Sequence, residues 1–145
     1  MQIKEIMTGK VEFVTPDDTI DEVAQKMRDS DAGAILVGSG DKMIGMITDH
    51  DIATKVTADG RDPQSVKAND IMSAPVLFCY DDQDLEDVAD NMIEQQALRM
   101  LVVDRDKHAL GVVAHSDFAD FVIKNGMYME PLAEKVIKLA SKIAA

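Results

Sequence analysis

Ile6-Met7-Thr8 returns 65 residues later as Ile71-Met72-Ser73, and that recurrence decides how the rest of the chain is read. Self-similarity at a fixed spacing marks a structural unit written more than once. The same spacing carries Val11 onto Val76, Phe13 onto Phe78, Asp17 onto Asp82, Val23-Ala24 onto Val88-Ala89, Met27 onto Met92 and Leu36-Val37 onto Leu101-Val102. It holds through Asp41-Lys42 and Asp106-Lys107. One residue then enters the second copy, so Gly45, Asp51, Ala53 and Val56 correspond to Gly111, Asp117, Ala119 and Val122 at a spacing of 66.

Within each copy the apolar period changes in the same order. Val11, Phe13 and Val14, and the run Val76 to Cys79, read as a short strand. A helix follows, with the i, i+3, i+4, i+7 stripe Ile20, Val23, Ala24, Met27 in one copy and Leu85, Val88, Ala89, Met92, Ile93 in the other. Thr19 with Glu22 fits a capping box, and Asp84 can cap the second helix. Two strands about a polar turn come next: Ala34 to Val37, Ser39-Gly40-Asp41-Lys42, then Met43 to Ile47. The second copy repeats them as Met100 to Val103, Asp104-Arg105-Asp106-Lys107, and Leu110 to Val113. A final helix is expected to begin near Asp51 and near Asp117. The unit is β-α-β-β-α and the fold class α+β.

Three short strands and two helices cannot cover both faces of a sheet, so the two copies are expected to pack through their sheets. The chain divides as a first repeat over residues 1–60, a polar linker over 61–68 containing Arg61-Asp62-Pro63, a second repeat over 69–126, and a helical extension over 127–145. Leu132, Val136, Leu139 and Ile143 make one apolar stripe on that extension, with Lys135, Lys138 and Lys142 off it. The stripe is short and contains no aromatic, which favours docking on the body or on a second subunit over a membrane surface.

Composition narrows the function classes. The 145 residues are 46% hydrophobic and 29% charged, the make-up of a folded globular chain, but only 4% aromatic, so ten methionines and the aliphatics must fill the core. A formal net charge of -12 repels phosphate backbones and anionic membranes, so neither nucleic acid nor membrane is an expected partner. The single cysteine, Cys79, allows no intrachain disulfide and favours a reducing compartment. The N-terminus opens without an apolar targeting segment and no apolar run is long enough to span a bilayer, so a cytoplasmic location is expected.

The stretch Gly45-Met46-Ile47-Thr48-Asp49-His50-Asp51 ends the third strand of the first copy. Thr15-Pro16-Asp17-Asp18-Thr19-Ile20 precedes the first helix, Asp70-Ile71-Met72 opens the second copy, and Leu101-Val102-Val103-Asp104 forms its middle strand. Together with the doubled unit, these resemble a tandem pair of CBS domains, a Bateman module. The resemblance runs from about Ile3 to about Ile123, and stand-alone bacterial and archaeal proteins of this type are similar in length.

That resemblance implies a regulatory module, not an enzyme, with two clefts between the sheets that take an adenosine-containing ligand: AMP, ADP, ATP or S-adenosylmethionine. No cofactor is required. A homodimer and an effector protein that the sequence does not identify are the implied partners. The candidate ligand-binding residues are Gly33, Ala34, Ile35, Gly45, Thr48, His50 and Asp51 in the first copy, and Leu98, Arg99, Met100, Gly111, Ser116 and Asp117 in the second. The chemistry agrees: a glycine permits close backbone approach, a strand-end hydroxyl is exposed, and an aspartate at the helix start can accept both ribose hydroxyls. A helix N-terminus suits phosphate. The sites are unequal, because Ala114 replaces the hydroxyl residue while Arg99, a good phosphate partner, replaces Ala34.

Blander readings compete. Asp51 and Asp117 can be simple helix N-caps. Asp49-His50-Asp51 superficially suggests a metal site, but His108 and His115 lie in the other copy and no spacing fits a zinc or dinuclear centre. Cys79 reads as a core residue without a partner base, and Gly38-Ser39-Gly40 as a hairpin turn rather than a phosphate loop. The alternative function is a homodimerising interaction module with vestigial clefts.

Overall fold

The computed structural model describes residues 1–9, 11–40, 42–126 and 130–144, with side chains up to Ser141. Asp41 in the first hairpin turn, residues 127–129 at the start of the extension, and the side chains of Lys142 and Ile143 lie outside the described set. The chain forms two compact units, one spanning Val11–Val76 and the other combining Met1–Lys10 with Leu77–Ala145.

In the unit Val11–Val76, strand β1 (Phe13–Val14) runs parallel to β2 (Ala34–Ser39), which pairs antiparallel with β3 (Lys42–Thr48). Helix α1 (Ile20–Ser30) buries Ile20, Val23 and Met27, while Ala24 of the expected stripe is exposed. Both halves of its capping box are made: the Glu22 N–H donates to the Thr19 hydroxyl and the Thr19 N–H donates to the Glu22 carboxylate. Helix α2 (Asp49–Ile52) widens into a π-helical turn over Ala53–Thr57, and α3 (Ala68–Ile71) closes the unit. Ile35, Val37 and Ile47 on one sheet face pack with the buried side of α1 and with Val56, Val66 and Ile71. Each fully buried aliphatic of this kind contributes roughly 1.5–3 kcal/mol.

The other unit repeats the pattern with β4 (Phe78–Tyr80) parallel to β5 (Arg99–Val103), and β5 antiparallel to β6 (Ala109–Ala114). Helix α4 (Leu85–Gln95), capped by Asp84, buries Leu85, Val88, Ala89 and Met92. Helix α5 (His115–Lys124) adds Phe118 and Val122. The added helix α6 (Pro131–Ala144) packs against α4 and α5. Leu132, Ala133 and Leu139 join the core, and Lys135 donates to Asp90 at 2.9 Å with Glu86 at 3.8 Å. Ala89 is fully buried in this cluster although its counterpart Ala24 is exposed. Beside it, Ile93 and Phe121 pack against the same core where the first copy carries Arg28 and Lys55. The second copy therefore has the more apolar helical face, and α6 lies there.

The segment leading into each sequence copy is exchanged. Ile20 at the start of α1 donates its N–H to the Val66 carbonyl, and Leu85 at the start of α4 donates to the Met1 carbonyl. Ser73 exchanges both backbone hydrogen bonds with Met46 on β3, and Thr8 exchanges both with Val112 on β6. The polar linker thus does more than connect, since the Val66 and Pro63 carbonyls satisfy two of the helix-start donors of α1.

Candidate ligand-binding site

The geometry of the site follows from where each third strand stops. Thr48 is the last residue of β3 and lies across the ladder from Ala34, the first residue of β2. Ala114 ends β6 and lies across from Arg99, the first residue of β5. The next N–H in each case turns back to the residue before the middle strand: Asp49 N–H to the Gly33 carbonyl at 3.0 Å, His115 N–H to the Leu98 carbonyl at 3.0 Å. Gly33, Ala34, Thr48 and Asp51 are thereby brought together in one unit, and Leu98, Arg99, Ala114 and Asp117 in the other.

The helices begin at Asp49 and His115, two residues earlier than the sequence suggested, so the aspartates sit in the first turn rather than at the N-cap. Asp51 Oδ2 accepts the Thr48 N–H at 2.9 Å while the Thr48 hydroxyl accepts the Asp51 N–H at 3.1 Å. Thr48 is the cap, and its O–H hydrogen remains the donor end. Asp117 Oδ2 accepts the Ala114 N–H at 2.8 Å, but Ala114 has no oxygen to return the bond. Asp51 is only 9% exposed and has Lys55 Nζ 3.3 Å from Oδ1. Asp117 is half-buried, and desolvation raises its carboxyl above the ordinary range; the Ala114 N–H opposes this, Asp120 adds to it, and the charges of His115 and Arg99 also oppose it.

The remaining candidates fall in different places. The Ile35 and Met100 side chains are buried in the cores of their units, so only their main chain can meet a ligand. His50 and Ser116 are exposed. The close approach that the two glycines permit is to the chain itself: a Cβ on Gly45 would collide with the Met72 side chain, and one on Gly111 with the Thr8 carbonyl. Lys55 escaped the sequence reading. Its spacing of four from Asp51 on a helix was the available signal.

Cys79 is buried and its thiol is pushed up to about 12, chiefly by desolvation and secondarily by Asp81, which leaves it unreactive in the fold. Among the described residues, Asp104, Asp106 and His108 bring three potential metal-ligand atoms within 4.8 Å. They serve the hairpin turn, where Asp104 accepts the N–H groups of Asp106 and His108 and pairs with His108 Nδ1 at 2.9 Å. No helix among the described residues is long and apolar enough to cross a membrane.

The comparison with known proteins agrees with this doubled architecture. The CBS domain model matches twice, over residues 3–58 and 68–124, and the chain belongs to the CBS domain family as a tandem pair. The CBS domain-containing protein YhcV of Bacillus subtilis is 37% identical over 117 residues, covering 81% of this chain and 82% of YhcV. Among solved structures, the CBS domain protein TA0289 of Thermoplasma acidophilum superposes with a TM-score of 0.82 at 18% identity, covering 100% of this chain and 77% of that one. CBSX2 in complex with AMP superposes with a TM-score of 0.68 at 18% identity, over 86% of this chain and 98% of CBSX2.

Proposed function

We propose that this CBS pair is a non-catalytic regulatory module that binds an adenosine-containing ligand, AMP, ADP, ATP or S-adenosylmethionine, at the strand ends carrying Asp51 and Asp117. One observation carries the reading. In both units an aspartate carboxylate is fixed by the N–H that ends the third strand, next to the first residue of the neighbouring strand. A carboxylate so fixed has lone pairs left for a vicinal diol. The arrangement recurs on both copies, and in the second it is present where Ala114 offers no capping hydroxyl. That a protein of this fold, CBSX2, is found with AMP adds support at the level of the fold.

Binding signals only if the ligand favours one arrangement of the protein over another. The module acts in the cytoplasm as a homodimer and passes its state to an effector protein. Isothermal titration against AMP, ADP, ATP, S-adenosylmethionine and NAD tests the reading. Saturable binding of at least one adenosine compound is expected, and no binding to any of them contradicts it.

The second reading, a homodimerising interaction module with vestigial sites, is favoured by the burial of Asp51 and its pairing with Lys55. Light scattering on the whole chain and on a variant lacking residues 130–145, together with the titration, separates the two. A dimer that binds no nucleotide supports the second reading.

A further inference from the structure

Asp51 and Asp117 occupy matching positions but receive their counter-charge from different places. In the first copy the cation is Lys55, one helical turn beyond Asp51, where an i, i+4 pair lies on one face. Its Nζ is 3.3 Å from Asp51 Oδ1 and donates to the Ile71 carbonyl at 3.1 Å. The Ile71 carbonyl fixes the amine on the side of α3, and Asp51 Oδ2 is already held by the Thr48 N–H. In the second copy the residue equivalent to Lys55 is Phe121, which packs against the core. There the charges that act on Asp117 are those of His115, at the helix start, and Arg99, at the start of β5 and across the ladder from Ala114.

Asp51 has little contact with water, and the Lys55 amine is the counter-charge beside it. The carboxylate also repels any second anion brought close to it. An adenosine phosphate that rests its ribose on Asp51 brings such an anion, whereas adenosine does not. We propose that Lys55 is a specificity-determining residue of the Asp51 site, neutralising the ribose-binding carboxylate so that phosphorylated adenosine is accepted there as well as neutral adenosine. The inference rests on the ligand reading given above and adds the residue that sets the charge the site tolerates. Lys55 acts through Asp51, so its effect depends on ligand charge and not on ligand shape. At the separations of a ribose and its phosphate, one uncompensated charge near a protein surface is worth about tenfold in affinity after screening.

The test uses the full chain carrying Asp117→Asn, so that heat of binding reports the Asp51 site alone. Lys55→Met in that background is expected to weaken AMP about tenfold and adenosine less than twofold, with the AMP loss shrinking as salt is raised. Lys55→Arg should restore AMP binding. Lys55→Gln, which retains a donor for the Ile71 carbonyl, replaces the Met variant if urea unfolding shows that one to be destabilised. Equal losses for AMP and adenosine, or no loss for either, overturn the role of Lys55 while leaving the ligand reading intact. Failure of the Lys55-containing protein to bind either compound overturns the ligand reading at this site, and the role of Lys55 with it.

Discussion

Arg99 stands directly across the β5–β6 ladder from Ala114. The matching rung of the first copy is Ala34 facing Thr48. The two copies therefore differ by a hydroxyl and a cation on one and the same rung, beside the candidate aspartates. The first copy keeps a reciprocal cap and takes its cation from the helix. The second keeps only the bond from the strand to the aspartate, with the charges of His115 at the helix start and Arg99 on the neighbouring strand acting on it.

This difference has a measurable cost in stability. Thr48→Ala removes the acceptor of the Asp51 N–H and is expected to destabilise the protein by about 1 kcal/mol. Ala114→Thr supplies the missing acceptor to α5 and is expected to stabilise by up to about 1 kcal/mol. Urea unfolding midpoints of the two variants should move in opposite directions. Movement in the same direction would contradict the capping geometry.

The two motif glycines should differ in tolerance. A Cβ at Gly111 meets backbone, the Thr8 carbonyl, whereas one at Gly45 meets the flexible Met72 side chain. Both are overpacking changes, worth about 1–3 kcal/mol, and only at Gly45 can part of the obstacle, Met72 Cγ and Sδ, rotate away while its Cβ stays. Gly111→Ala is expected to cost about 2 kcal/mol or more and Gly45→Ala about 1 kcal/mol, read from denaturant unfolding. The reverse order would show that the leading segment does not pack as described.

Helices α1 and α4 end at equivalent left-handed residues, Asp31 with φ 52° and Gln96 with φ 55°. The following N–H groups, of Ala32 and Ala97, return to the Met27 and Met92 carbonyls as in a Schellman turn. Glycine adopts this conformation without a Cβ penalty, and aspartate tolerates it better than glutamine. Gln96→Gly is expected to raise stability by about 0.5–1 kcal/mol and Asp31→Gly by less. A loss of stability in thermal unfolding of Gln96→Gly would contradict the prediction.

Asp117 carries a pH signature. Burial raises its folded pKa above the unfolded one, so the folded state holds the proton more tightly. Its contribution to stability is present below the ordinary carboxylate range and is lost as pH rises through the folded pKa. Asp117→Asn keeps an oxygen for the Ala114 N–H and removes the charge. It is expected to raise the melting temperature at pH 7 and to lose most of that advantage near pH 4. An advantage larger at pH 4 than at pH 7 would reverse the sign and contradict the desolvation account.

Much of this was legible in the sequence because it is written twice in local patterns. The Ile20-Val23-Met27 stripe, its partner in α4, the hairpins and the Thr19–Glu22 box were readable from spacing alone. The exchange of leading segments was not, since nothing near Thr8 indicates that its backbone partner is Val112. The helix starts were displaced because an aspartate serves equally as an N-cap or, as at Asp51, in the first turn behind a threonine cap. The left-handed ends at Asp31 and Gln96 carried no glycine to mark them. Of the candidate site, the aspartates and the Thr48/Ala114 and Ala34/Arg99 contrasts were visible. The ladder that sets those contrasts face to face required the fold.

The central claim is that an adenosine ligand is held by Asp51 and Asp117, whose carboxylates accept the Thr48 and Ala114 amide hydrogens. Titration of AMP into ¹⁵N-labelled protein, followed through those two amide resonances, tests it most directly. A saturable shift of at least one of them, abolished in the Asp51→Asn, Asp117→Asn double variant, is the predicted result. Unmoved Thr48 and Ala114 amides at millimolar AMP, or shifts that persist in the double variant, would contradict it.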